Sequence, residues 1–415
     1  MPGKSDDTAR AAPLEQEAVA TAMTWWVVAA TTAIQAAISF AVLALTGMAP
    51  AAANSLGVPA SYVGYHTSVV YGAAMLGTLP LGPAIARWGA CRVNQASLLL
   101  AAAGCALAAV PALGVVAMGS LAMGFGLGST VPAAAHLLAR FTPRRRRNLF
   151  FSIKQTGVPF GGVLAGAVGP PIAVAFGWRW TLACVAAAAI ALAALLQVAR
   201  ERWDDDREPG TSLKINPLHG LLLLRAGPEL MALAAHGFFL GIVQLSTVSF
   251  LVTLLAIEAG LDLVAAGLVL SAFLMTGAAA RVLWGWVADR AGSGLGVLAL
   301  LAVCTTAGVL AVTTVSAGWS YAALMALFVA LAVSAVGWNG VYLAEAARLA
   351  PAGQVAAATS GSISTLYFGA LIGPSLFATA YGFVGSYAAT FGLLGIAGAG
   401  AVAAAAVAIR AARRD

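Results

Sequence analysis

Two cations stand inside long apolar runs of this 415-residue chain, and a guanidinium and an amine at such depth are suited to holding an anion. Arg281 precedes Asp289 by eight residues, which puts it roughly 12 Å along a helix from that polar end. Gly277, Arg281 and Gly285 are four apart, so Arg281 shares a face with small residues. Such faces meet other helices or cavities more often than lipid. Lys154 lies seven residues past Arg147, at a depth of roughly 10 Å, and Gly157 and Gly161 follow it at helical spacing. A guanidinium grips a carboxylate through two parallel hydrogen bonds, whereas an ammonium is a flexible point charge. Both cations also have a plain structural use, which is snorkelling to the surface or pairing with a backbone carbonyl.

Gln35, His236, Gln244 and Asn339 are the neutral polar residues available to complete a midplane site, with Trp338 and Tyr342 as walls. Singly, each such residue more often hydrogen-bonds a neighbouring helix than a ligand. Glu229, Glu258, Asp262, Asp289 and Glu345 all fall near the ends of apolar runs, so no carboxylate lies deep. Proton coupling, if present, is then left to His236 or to the substrate's own proton, and anion exchange is equally open.

The elements that must position these residues are membrane helices. Apolar residues make up 61% of the chain and charged residues 9%, whereas an ordinary soluble domain carries about 25% charged residues. The apolar residues fall in twelve blocks of about 20, the length that crosses a bilayer core as helix: 24–46, 62–84, 94–112, 115–138, 149–173, 179–199, 226–256, 264–288, 296–315, 319–343, 354–380 and 385–409. Ten-residue alternating strands are missing, which argues against a closed barrel. The expected organisation is a tail (1–23), a six-helix half (24–199), a linker (200–225), a second half (226–409) and a short tail (410–415).

The halves repeat. Gly157, Gly161, Ala165 and Gly169-Pro170 recur 204 residues later as Gly361, Thr365, Gly369 and Gly373-Pro374. The segment from Gly82 through Arg87 to Gly89 recurs 203 residues later as Gly285 through Asp289-Arg290 to Gly292. Such duplication is typical of transporters with two pseudo-symmetric halves. The net charge of +7 is placed as a topology signal: Arg87, Arg92, Arg140, Arg144 to Arg147, Arg200, Arg202, Arg207, Lys214, Arg225, Arg290, Arg348, Arg410, Arg413 and Arg414 all follow even-numbered blocks. Arg179 is the one cation in the alternate loops, so both termini and the linker are expected in the cytoplasm. The first 20 residues lack the apolar core of a secretory signal. Cys91, Cys105, Cys184 and Cys304 are scattered, with no metal-ligand spacing, and no metal or cofactor is expected.

The run Gly285-Trp-Val-Ala-Asp289-Arg290-Ala-Gly292 resembles the cytoplasmic loop motif of the major facilitator superfamily, and Gly157-Val-Pro159-Phe-Gly161-Gly162 is similar to its Gly- and Pro-rich fifth-helix motif. The resemblance implies an all-α fold of twelve transmembrane helices in two six-helix halves. It also implies a gating role for Gly82, Arg87, Gly89, Gly285, Asp289 and Arg290, with Glu345 and Arg348 in the same charge cluster. Gly157, Gly161, Gly169, Gly361, Gly369 and Gly373 would serve helix packing. In the first half Ala86 stands where the motif has Asp. The run Arg281-Val-Leu-Trp284-Gly285 further resembles the eighth helix of monocarboxylate porters and oxalate–formate antiporters, in which an Arg binds carboxylate. Gly277 replaces the Asp of the porters, and Gly361 to Thr365 lack the second cation of the oxalate antiporters, so a small monoanion is expected.

The function that follows is secondary transport of a small organic anion, without enzymatic activity, from a monomer in a bacterial inner membrane. The partners are the substrate, the bilayer and a coupling proton or exchanged anion, with no nucleic acid. Two other readings compete: efflux of amphipathic drugs, and a non-transporting receptor on the same fold.

Overall fold

A computed structural model describes residues 5–78, 81–143, 147–213, 219–352 and 354–413. Arg144, Arg145, Arg146, Lys214 and Arg414 of the basic loops lie outside the described residues, as do the first four residues of the tail. Among the described residues, eleven helices are long and apolar enough to cross a bilayer, or twelve when Val63–Thr78 and Leu81–Trp88 count as one broken second span.

The other spans run in order. The first is Ser5–Gly47, the third Ala90–Ala108, the fourth Leu113–Phe141. The sixth is Trp178–Leu195, continued by Leu196–Ala199 and Arg200–Trp203. The seventh is Pro228–Ile257, the eighth Leu263–Ala291, the ninth Gly294–Val312, the eleventh Val355–Val384 and the twelfth Tyr387–Ala412.

Two expected single helices are divided. The fifth span comprises Arg147–Gln155, Gly157–Ala167 and Gly169–Phe176, and the tenth comprises Tyr321–Ala335 and Asn339–Arg348. Pro159 and Pro170 each sit in the first turn of the next piece, where a missing N–H costs nothing. Gly337 lies in the tenth-span break. The expected N-terminal tail is also helical from Ser5 onward and continues into the first span.

The six spans before Trp203 pack among themselves, as do the six after Pro228, and the two sets meet along the second and eleventh spans and the fifth and eighth. Gly166 and Gly267 show why the last pair sits so close. A Cβ on Gly166 would stand 2.4 Å from Gly267 O, and one on Gly267 would stand 2.2 Å from Gly166 O. Only hydrogen fits between these backbones.

Arg87, Arg140, Arg290 and Arg348 lie in the last turns of even-numbered spans and therefore share one end of the bundle, here the basic end. Hydrogen bonds that join the halves between described residues cluster toward the opposite, bare end: Ser249 to Thr67 at 2.9 Å, Ser271 to Val163 O at 3.0 Å, Ser375 N to Ser68 at 3.1 Å, and Tyr65 with Thr379 at 3.1 Å.

Candidate functional site

Lys154 and Arg281 lie on the stretches of the fifth and eighth spans that run past these contacts toward the basic end. Lys154 belongs to Arg147–Gln155, which packs on the first and fourth spans of its own half. It is 2% exposed, and its Nζ donates to Gln35 Oε1 at 2.8 Å and to Gln155 Oε1 at 3.2 Å. Gln35 Oε1 also accepts from Thr130 at 3.3 Å, and its Nε2 reaches Ser39 at 3.4 Å, which fixes the amide with its oxygen toward the amine. Lys154 thus points across to the first span. Every partner is neutral.

Arg281 is tethered by the break in the tenth span. Its Nε donates to Val336 O at 3.2 Å, while Trp284, one turn on, donates to Val333 O at 2.9 Å. A helix break frees carbonyls for side chains, and Asn339 Nδ2 shares Val336 O at 3.0 Å. The two terminal nitrogens of Arg281 have no protein partner among the described residues, and no carboxylate pairs with it there. Half-buried Tyr71, from the second span, is the ionisable group that faces it. The Tyr71 ring meets Tyr367 of the eleventh span edge-on at 5.7 Å, so an aromatic pair from both halves stands beside the guanidinium.

Gln244 mirrors Gln35. Each stands on the first span of its half, and each turns Oε1 to donors from that half's fourth span. For Gln35 the donor is Thr130; for Gln244 they are Trp338 Nε1 at 2.9 Å and Asn339 Nδ2 at 3.0 Å. Tyr342 is fully buried and donates to Ser362 O at 2.9 Å. His236 lies apart from this group: it is 0% exposed, bound through Nδ1 to Ala401 O of the twelfth span and edge-on to Trp338. Tyr71, Tyr367 and Thr130 join the site as well; nothing in the chain near them, where other hydroxyl residues are common, sets them apart.

At the basic end Glu345 Oε2 accepts from Arg348 Nη2 at 2.7 Å and from Nε at 3.0 Å. Asp289 and Arg290 are exposed; Asp289 makes no ion pair among the described residues, and Arg290 lies over the Trp286 ring. Asp289, Glu345 and Arg348 line a cavity of about 610 Å³ together with Gly285. In the first half Arg87 and Gly82 are exposed, and Gly89 ends its loop at φ +93°, a left-handed conformation that favours glycine. The linker supplies the acid that position 86 lacks. Asp204 accepts from Cys91 N at 2.7 Å and Arg92 N at 3.2 Å, capping a helix whose own N-cap has no side chain. Burial pushes the Asp204 carboxyl above its ordinary value, opposed by these two hydrogen bonds. Asp206 binds His136 and Arg140, and Asp205 also pairs with Arg140. The linker is therefore docked over 204–208, where Glu208 N also bonds Ala86 O at 2.6 Å.

The repeat glycines lie against neighbouring backbones: Gly157 on Thr32 and Gly161 on Ala36 of the first span, Gly369 on Phe238 and Gly373 on Ile242 of the seventh, and Gly361 on Gly220 of the linker. Gly169 has looser surroundings near Thr181. Among the described residues no three His, Cys, Asp or Glu side chains come together as a metal site.

The sequence profile of the Major Facilitator Superfamily matches residues 26–374. Over 134 residues the chain is 31% identical to the 4-hydroxybenzoate transporter PcaK of Acinetobacter baylyi, a match that covers 32% of this chain and 29% of that relative. Among solved structures, a bacterial homologue of the human lysosomal transporter Spinster, inward-facing and occupied, superposes with a TM-score of 0.74 at 16% identity, covering 94% of this chain and 96% of the other. A point mutant of the peptide transporter POT, in complex with sulfate, superposes with a TM-score of 0.73 at 15% identity, covering 94% of each chain.

Proposed function

The chain belongs to the Major Facilitator Superfamily and is a membrane transporter, not an enzyme, and we propose that it moves small organic anions, monocarboxylates foremost, by alternating access. One observation carries this reading: two cations inside the spans, Lys154 and Arg281, have only neutral protein partners among the described residues. An unpaired charge at such depth is costly, and a bound carboxylate removes the cost at both residues. Arg281 is prepared for the task, since Nε is anchored while the terminal nitrogens are free to take two carboxylate oxygens. Gln35, Gln244 and Asn339 supply neutral hydrogen-bonding groups around them. His236, sealed within the second half, is not a substrate contact in this reading.

The Tyr71–Tyr367 pair favours a substrate with a flat apolar body next to its carboxylate. The partial relative's substrate, 4-hydroxybenzoate, has that chemistry. The halves 24–199 and 226–409 rock about this site. The hydrogen bonds that join the halves gather toward the bare end, and on this reading the substrate reaches the site from the basic end. We assign the basic end, with both termini, to the cytoplasm of a bacterial inner membrane on the positive-inside rule. A monomer contains the whole pathway, and the driving partner is a proton or an exchanged anion.

Proteoliposome uptake of radiolabelled lactate, benzoate and 4-hydroxybenzoate, with protein-free vesicles subtracted, tests the reading. Saturable uptake that is lost in Arg281→Ala and strongly weakened in Arg281→Lys is the expected result. Transport indifferent to Arg281, or none, overturns it and moves efflux of amphipathic compounds into first place.

A further inference from the structure

A second cavity, of about 660 Å³, opens at the basic end of the first half and is distinct from the transport site. Four arginines line it: Arg87 from the last turn of the second span, Arg92 from the first turn of the third, and Arg200 and Arg207 from the end of the sixth span and the linker. No carboxylate is among its lining residues. Of the acids beside the lining residues, Asp204 turns its oxygens to the backbone N–H groups of Cys91 and Arg92, while Glu201 and Glu208, next to Arg200 and Arg207 in the chain, are exposed and make no ion pair among the described residues. The Arg92 guanidinium donates to the neutral amides of Gln95 at 2.9 Å and Gln197 at 3.3 Å, and none of the four guanidiniums makes an ion pair among the described residues.

The cavity changes character along its length. Apart from Ser97 and Ser129 its remaining wall is apolar, including Leu81, Val93, Ala96 and Leu100, and the last of these lies eight residues, roughly 12 Å, along the third span from Arg92. Leu100 is 37% exposed and Trp88 50% exposed, so the wall continues onto the outer surface of the bundle, which faces acyl chains in a bilayer. The equivalent cavity of the second half differs: it is lined by Asp289 and Glu345 as well as Arg348 and Arg413, and its charges are mixed.

We propose that the four-arginine cavity binds an anionic phospholipid, with the phosphate among the guanidiniums and an acyl chain along Leu81 and Leu100. Guanidiniums match phosphate oxygens in paired hydrogen bonds, and an interhelical basic pocket at the charged end of a membrane protein is suited to a headgroup. Because Arg87 and Arg92 flank the turn between the second and third spans and the other two come from the sixth-span end and linker, a bound phosphate joins the linker to the end of the third span that Asp204 already caps. The lipid then stiffens the basic end of the first half.

The test compares thermal unfolding of the purified full chain in nanodiscs of phosphatidylcholine alone and with phosphatidylglycerol added, alongside detergent samples given glycerol 3-phosphate or inorganic phosphate. The expected result is a higher Tm with phosphatidylglycerol that disappears in Arg87→Gln/Arg92→Gln and in Arg200→Gln/Arg207→Gln, but persists in Arg290→Gln/Arg413→Gln. Native mass spectrometry of the wild-type protein, which needs no variant to fold, is expected to retain phosphatidylglycerol in preference to phosphatidylcholine. No preference in that measurement overturns the proposal. A Tm rise with the soluble phosphates equal to that with the lipid overturns the acyl-chain part and leaves a free-phosphate site. A rise that survives both arginine pairs places the lipid elsewhere and also overturns it.

Discussion

At Arg281 one nitrogen is committed to Val336 O and two remain for a ligand, so the residue combines a structural and a binding role. Arg281→Lys keeps the charge and loses the fork; the loss of a charge-assisted hydrogen bond is about 1.5–3 kcal/mol, and KM for carboxylate is expected to rise ~10–100-fold with a smaller change in kcat. Lys154 differs chemically, because an amine can release its proton where a guanidinium does not. Lys154→Arg is expected to retain carboxylate exchange in counterflow and to lose any net uptake driven by a pH gradient; unchanged gradient-driven uptake excludes the amine from coupling. Asp204 gives a pH prediction outside the membrane. Its folded pKa is raised, so its protonated form contributes stability that is fully present below the ordinary carboxylate value and is lost as pH rises through the raised one. Asp204→Asn, neutral throughout, is expected to flatten that part of the Tm-versus-pH curve. Asp204→Ala removes the cap at about 1 kcal/mol, and adding Ala86→Asp, which restores the acid to the loop, is expected to recover part of the lost Tm.

Helices carry the seal. Gly166→Val places branched carbons against Gly267 O, and the fifth and eighth spans must separate at the bare end. Cysteine-reactive reagents added from the bare side are expected to label site positions faster in this variant than in the native background, and unchanged labelling rates would show that the seal does not depend on this contact. The spans themselves were readable because a run of apolar residues is a local property. The Gly-Pro repeat likewise marked where the fifth and eleventh spans pack. Pro159 and Pro170 are visible in the chain, yet the same residue pair leaves the eleventh span unbroken at Pro374, so the break depends on neighbours. The pairing of Lys154 with Gln35, 119 residues apart, and the tether of Arg281 to Val336 depend on tertiary approach and leave no local pattern. The docked linker was hidden for a related reason: Asp204 to Asp206 read as a solvated charge run until the helix end and Arg140 are brought beside them.

For the whole molecule, Tyr65 and Thr379 are a direct probe of alternation, since their side chains meet between halves at the bare end. In a background with Cys91, Cys105, Cys184 and Cys304 replaced, Tyr65→Cys/Thr379→Cys is expected to cross-link, to halt net transport and to regain it on reduction. Undiminished transport in the cross-linked protein would mean that this end need not open. The twofold frame is matched at Gln35 and Gln244 but not at the cations, because Lys154 comes from the fifth span of one half and Arg281 from the eighth span of the other, which are not equivalent positions in the repeat. The broken tenth span adds an evolutionary consequence. Because Arg281 is aimed by a freed backbone carbonyl, a substitution around Gly337 that shifts that carbonyl redirects the guanidinium without altering it. Changes of substrate preference among descendants of this chain can therefore accumulate at the break in the tenth span while the anion-gripping residue itself stays the same.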